Sequence, residues 1–353
     1  MSSSQSKRIE ALDYLRGFFI VVIIVDHVFR FPNIFALFSG EARLWMTAAE
    51  GFILISGLLI GYIRGRKGMK LPFSNIAQIL FKRAVVLYVW LVLGSLIYLG
   101  IASWILAIPD TPSATVTFGD WFGLIWNIIT MQHPAVWVHF LYLYAIYLVL
   151  SIGAVWLLRS QRSLALVTIS IGVYLIGWLC NVEWMKWQLL FFGAATAGFY
   201  LDTIRRWWSE YRHKLAILIG IYSLTIVTLI CSITFVFLPQ LVSTNLVSAT
   251  NSLFSIDTFG PARVIISILW FTALCLIFNQ VYPFLKRYTF GLLEYFGTHS
   301  LTAYITHGVV ICLFNAFIPR TSSYVTNSVV VFAAILLVYG FIKIPLVQKV
   351  VPR

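Results

Sequence analysis

The sequence predicts an all-α fold, a polytopic integral membrane protein with about ten transmembrane helices. Three observations carry that prediction. The composition is 60% hydrophobic and only 10% charged, with a mean hydropathy of +0.91, which no soluble domain of ordinary make-up reaches. Apolar runs long enough to cross a bilayer recur along the whole chain. Lys and Arg are also distributed unevenly between the segments that join those runs.

The runs lie near 15–36, 46–64, 84–107, 139–158, 163–180, 187–204, 215–238, 262–282, 297–318 and 325–348. The first is unusual, because it opens on Asp13-Tyr14-Leu15-Arg16-Gly17 and carries Asp26, His27 and Arg30, which a lipid-facing helix avoids. The second holds Glu50 near one end and Ser56 in its middle, and its Gly57 and Gly61 have the small-xxx-small spacing of a close helix crossing. Lys82 and Arg83 open the third, next to a basic segment that begins at Arg64. Short turns join the fourth, fifth and sixth runs, and Trp187-Gln188 opens the sixth. The ninth holds His299 and His307, with Tyr304 one turn before the latter. Two connections are longer than bundle loops usually are, about 108–138 (with Asp110, Trp121, Trp126, His133 and Trp137) and about 239–261. Both are candidates for substrate contact. With no internal repeat and no low-complexity stretch, residues 1–353 read as one integral membrane domain.

If the N-terminus is cytoplasmic and the chain alternates, 20 of the 25 Lys and Arg fall inside and only Arg30, Arg43, Lys186, Arg263 and Arg320 fall outside. That asymmetry follows the positive-inside rule and places both termini in the cytoplasm of a cell (inner) membrane. The net charge of +13 is then a product of topology. It speaks for an anionic leaflet or an anionic cytosolic ligand, and against nucleic acid, because the cations sit in separate short segments. Lys7 and Arg8 resemble the start of a signal peptide, but cleavage would discard the Arg16–His27 helix, so a retained anchor is expected. Cys180, Cys231, Cys275 and Cys312 have no CxxC spacing and imply neither a disulfide framework nor a metal site.

Chemistry concentrates on the first helix. Arg16 and His27 are eleven residues apart, which brings them to one helix face at a separation of roughly 16 Å along the axis. An imidazole is suited to accept a proton near neutral pH, and a guanidinium at the inner mouth is suited to hold an anionic head such as a phosphate. Lys82 and Arg83 fit the same donor-binding role, though positive-inside placement alone also explains them. The other reading of the first helix is a structural network, with Asp13 pairing Arg16 and Asp26 pairing a neighbour. Asp26 and Glu50 are candidate orienting groups for His27. His307, His299, Trp187 and Gln188 are candidate acceptor-binding or supporting groups, and the bland reading of the histidines is a hydrogen bond between helices. Ser56 reads as a packing residue, since no Gly-x-Ser-x-Gly elbow surrounds it. Trp121, Trp126 and Trp137 could stack on sugar rings, but an interfacial aromatic belt is the better account of them.

The ordered set of motifs resembles the acyltransferase-3 superfamily of integral membrane acyltransferases, and within it the branch that succinylates osmoregulated periplasmic glucans. The set comprises Arg16 and His27 with ten residues between them, Ala49-Glu50-Gly51-Phe52 with Ser56-Gly57, Lys82-Arg83-Ala84 with Tyr88, Trp187-Gln188 with Gly193, and Gly297-Thr298-His299-Ser300-Leu301. This chain has Gly51 where a bulkier apolar residue is common in that branch. The resemblance implies transfer of an acyl group from a cytosolic thioester, acyl-coenzyme A, to an extracytoplasmic hydroxyl on a glycan, with His27 as the essential base. No permanently bound cofactor is expected, and no metal-ligand spacing stands out in the sequence. The rival readings are a secondary transporter that uses the buried Arg, Asp and His as a substrate or proton site, and a silent membrane scaffold. A second Arg–His helix answering the first, as paired transporter halves would supply, is absent from the sequence.

Overall fold

The structure, a computed structural model, describes residues 10–104, 121–132 and 136–351. Lys7, Arg8, Asp110 and His133 lie outside the described residues. The first half of the chain forms α1 (Glu10–Val28), α2 (Ala36–Ser39), α3 (Ala48–Leu59), α4 (Phe73–Trp104), α5 (Trp121–Ile129), α6 (His139–Arg159), α7 (Ser163–Leu179) and α8 (Glu183–Phe199). The second half forms α9 (Leu201–Glu210), α10 (Lys214–Phe237), α11 (Thr244–Phe254), α12 (Pro261–Tyr288), α13 (Leu292–Thr298), α14 (Ser300–Phe317), α15 (Tyr324–Lys343) and α16 (Pro345–Val350). No strand occurs among the described residues.

The chain is an all-helical polytopic membrane protein, and each of the ten expected spans coincides with a helix. Among the described residues, seven helices are long and apolar enough to cross a membrane by length and composition. The three expected spans outside that set have identifiable reasons. α1 carries charge, and α7 and α8 are 17 residues each, which gives roughly 25 Å against a hydrocarbon core of ~30 Å.

Local chemistry sets the helix ends. Thr47 accepts from the Ala49 N–H while Glu50 accepts from the Thr47 N–H, a capping box that starts α3. Pro261 follows Gly260 at the start of α12, where a missing N–H costs nothing. Gly291, left-handed at φ 74°, turns α12 into α13. Beyond Leu59 the α3 axis continues as a π-helical stretch, Ile60–Arg66, that leads to the basic end of the molecule.

α1 is the central strut, packed against α3, α12, α13, α14 and α15. α3 crosses α8 at backbone contact. A Cβ on Gly57 would lie 2.0 Å from the Phe191 carbonyl oxygen, and one on Gly61 would lie 1.8 Å from that of Ala195. The small-xxx-small pair is therefore a packing device, as its spacing predicted. At Gly51 the space of the missing side chain holds the ring of Phe19, 2.2 Å from where a Cβ would be.

The two long connections are not plain loops. Helix α5 lies in the first, and α11 lies in the second. The second connection folds down on the bundle. Phe254 stacks on Trp45 with ring centroids 3.9 Å apart, and the fully buried Phe259 stacks on Trp187 at 4.3 Å. Trp137 is buried edge-on to Tyr98, which makes it a core residue, whereas Trp126 is exposed.

Candidate functional site

The site is built where α1 meets α14, α3, α4 and α6. His27 sits in the last turn of α1 and His307 midway along α14. Their rings stack, and His27 Nδ1 is 2.8 Å from His307 Nε2. His307 is fully buried, and its Nδ1 faces the Tyr304 carbonyl oxygen one turn earlier. That oxygen can only accept, so His307 Nδ1 carries the proton and Nε2 is a lone pair. His27 must then donate from Nδ1, which leaves its own lone pair on Nε2. The tautomers of both rings follow from one backbone carbonyl. α14 is held in this register by α4, because the Tyr98 hydroxyl donates to the Ile305 carbonyl and the Tyr98 ring lies over Gly308.

Arg16 lies three turns back along the same continuous helix, 3.9 Å from Asp13 and 3.4 Å from the Gly297 carbonyl at the end of α13. Arg16 and Arg83 line one narrow cavity of about 40 Å³, together with Ile23, Ser56, Phe140, Tyr144 and Tyr304. Arg64 on the π-helical stretch is close enough to Arg83 for the two charges to interact. Lys82 is exposed on the face of α4 and does not line this cavity. From the cavity, Tyr304 leads directly to His307, their ring centroids 5.1 Å apart. A basic mouth and an imidazole pair are thus connected along α1 by apolar and aromatic walls.

The remaining candidates are placed elsewhere. Glu50 has no cation near it in sequence and takes one from a distant part of the chain. The Arg263 side chain of α12 meets its Oε1 at 2.5 Å through both Nε and Nη2, and the two residues are 0% and 3% exposed. The other carboxylate oxygen accepts from Thr47. Glu50 is therefore a helix-joining and capping group. Asp26 is buried and turned toward the Ser39 hydroxyl and the Ala42 backbone. The hydrogen-bond partner that the structure supplies to His27 is His307, in place of either carboxylate. Gln188 is fully engaged with Ser170, accepting from its hydroxyl at 2.7 Å and donating to its carbonyl at 2.7 Å, so it ties α8 to α7. Trp187 is packed between Phe259 and Phe140. His299 caps the start of α14, stacked on Tyr295 and 2.9 Å from the Thr298 hydroxyl, and eight residues (~12 Å of helix) from His307. Phe140, Tyr144 and Arg64 in and around the cavity were missed by sequence reasoning. Among them only Arg64 carried a signal, its charge beside an apolar run. Among the described residues no group of three or more His, Cys, Asp and Glu could hold a metal ion.

Comparison with known families decides the assignment. The OpgC protein family matches residues 8–345, nearly the full chain. This chain belongs to the OpgC family. That is the family of osmoregulated periplasmic glucan succinyltransferases, the branch whose motifs the sequence resembles, and it points to a transferase acting on glucans. No curated protein and no solved structure matches the chain.

Proposed function

We propose that this OpgC-family protein is an O-acyltransferase of the inner membrane. In this reading it takes an acyl group from cytosolic acyl-coenzyme A and transfers it to a glucan hydroxyl on the far side, with both chain termini in the cytoplasm. The observation that carries the reading is the His27–His307 pair at 2.8 Å, set eleven residues along α1 from Arg16.

The chemistry follows from the tautomers. His27 Nε2, with its lone pair, takes the proton of the acceptor hydroxyl as the oxygen attacks the thioester carbonyl. His307 Nε2 accepts from His27 Nδ1 and so orients the ring and stabilises the imidazolium that forms. As the tetrahedral centre collapses the C–S bond breaks, and the leaving thiolate takes the proton that His27 is holding. Ester and free thiol result. Direct transfer is favoured over an acyl-serine, because among the described residues no histidine or carboxylate hydrogen-bonds Ser56 in the cavity wall. Arg16 and Arg83 suit the anionic head of the donor, and donor binding must widen the narrow passage between them.

The test is His27→Ala in purified, lipid-reconstituted protein. Transfer should fall by ~10²–10⁴-fold while expression and donor binding persist. In the unaltered protein transfer should also decline as pH is lowered. A protonated Nε2 cannot accept the hydroxyl proton, and two imidazolium rings cannot share an N–H···N bond. Near-normal turnover in His27→Ala, or a rate that rises toward acid, would remove the base from this mechanism.

A further inference from the structure

Five of the basic residues fall on the face opposite the main basic end, and the structure sorts them sharply. Arg263 is buried against Glu50, and Lys186 donates to Asn181 and to the Asp257 carbonyl. The other three, Arg30, Arg43 and Arg320, line one cavity of about 470 Å³. Its acidic lining residue is Glu41, 3.6 Å from Arg43, so among the described residues that line it three guanidinium groups accompany one carboxylate. Cations on this face run against the positive-inside bias, so their convergence on one cavity asks for a ligand.

Buried polar atoms in the wall point the same way. Arg30 is 3% exposed, and its terminal nitrogens donate to the carbonyls of Phe314, Ile318 and Pro319 at the end of α14. Those neutral partners leave the charge uncompensated, and Arg30 Nε has no partner among the described residues. Asn327 is fully buried, and its Nδ2 is used by the carbonyls of Pro32 and Thr321. Its Oδ1 is buried without a partner among the described residues. A buried donor on a cation and a buried acceptor on an amide thus line the same cavity. Phe29 supplies a flat apolar wall. It is 59% exposed, is held in the left-handed region at φ 52°, and has the Arg320 guanidinium 5.7 Å from its ring centroid. Phe29 and Arg30 lie two and three residues beyond His27.

We propose that this cavity is an oxyanion-recognition subsite, in which Arg30, Arg43 and Arg320 hold a carboxylate or phosphate ester while Asn327 and Phe29 engage a sugar hydroxyl and ring. The proposal rests on the transferase reading, because it places the subsite on the acceptor side of His27. The oxyanion comes from one of two sources, a charged substituent on the glucan acceptor or the far carboxylate of a dicarboxylic acyl group.

Two selectivity ratios of kcat/KM test it, measured for the unaltered full chain and for Arg320→Ala and Arg43→Ala, both exposed positions that should fold. The first ratio compares a carboxymethylated glucan oligosaccharide with its unmodified parent, using butyryl-coenzyme A as donor. The second compares succinyl- with butyryl-coenzyme A, using the unmodified glucan. A drop of about tenfold in the first ratio assigns the subsite to the acceptor's charge, and one in the second assigns it to the acyl carboxylate. Neither ratio moving in either variant overturns the subsite. If the unaltered protein transfers nothing with any pair, the transferase reading fails by itself. The subsite is then read from binding of the same two oligosaccharides by calorimetry. Weaker binding of the charged one in Arg320→Ala upholds an oxyanion subsite, and equal affinities in both proteins overturn it.

Discussion

In the proposed mechanism His307 acts on His27 only through the nitrogen that faces it, so its contribution depends on that nitrogen being an acceptor. The Tyr304 carbonyl secures this by holding the proton on the opposite side of the ring. His307→Ala should therefore lower kcat by ~10–100-fold, the usual cost of losing a hydrogen-bonded support, with less effect on the KM for donor. His307→Gln, whose amide oxygen can still accept, should recover part of the loss and shift the acid limb of the pH–rate profile. If the two variants were equally impaired with unchanged pH profiles, His307 would be a packing residue. The Arg16 and His27 pair was legible in the sequence because both belong to one helix, whose period converts an eleven-residue spacing into a shared face. Glu50 was not legible in the same way, since its cation, Arg263, is 213 residues away and only the tertiary fold joins them. The same holds for Asn327 and Arg30, which are far apart in sequence and line one cavity.

Helix existence was written in the hydropathy, and helix crossings only partly so. Each expected apolar run falls on a helix, because a bilayer demands about twenty residues whose backbone groups are satisfied within the segment. The same argument is silent about α5 and α11, short pieces inside connections, and about the π-helical continuation of α3. Gly57 and Gly61 are the element-scale feature that both sequence and structure identify. Where the α3 and α8 backbones touch, any added side chain must push the helices apart. Gly61→Leu should cost at least ~1–3 kcal/mol, the range of overpacking in a tight interior, and lower the thermal midpoint of the purified protein. Gly220→Leu in α10, where a Cβ meets nothing within 4 Å, should leave that midpoint nearly unchanged. Equal tolerance at both positions would mean that the α3–α8 crossing is looser than its geometry. Because α3 also carries Ser56 into the cavity wall, Gly61→Leu should weaken donor binding as well.

Across the whole molecule the two ends differ in chemistry, and the direction of transfer depends on which end faces the cytosol. At one end Arg16 and Arg83 line a narrow passage, and Arg64 is close enough to Arg83 for their charges to interact. At the other, Arg30, Arg43 and Arg320 line a broader cavity roofed by short elements. His27 and His307 lie between them, nearer the second, which suits a donor whose reactive end must travel further than its charged head. The proposed orientation rests on the charge asymmetry, because moving the many cations of the first end across an energised membrane is the costlier alternative. Single cysteines at Lys67 and at Leu241, which is 70% exposed, test that orientation in a background without Cys180, Cys231, Cys275 and Cys312. In intact spheroplasts a membrane-impermeant maleimide should label Leu241→Cys and reach Lys67→Cys only after permeabilisation. The reverse pattern would put the Arg16 mouth outside, where coenzyme A thioesters are not available, and the proposed direction of transfer would fail along with the donor.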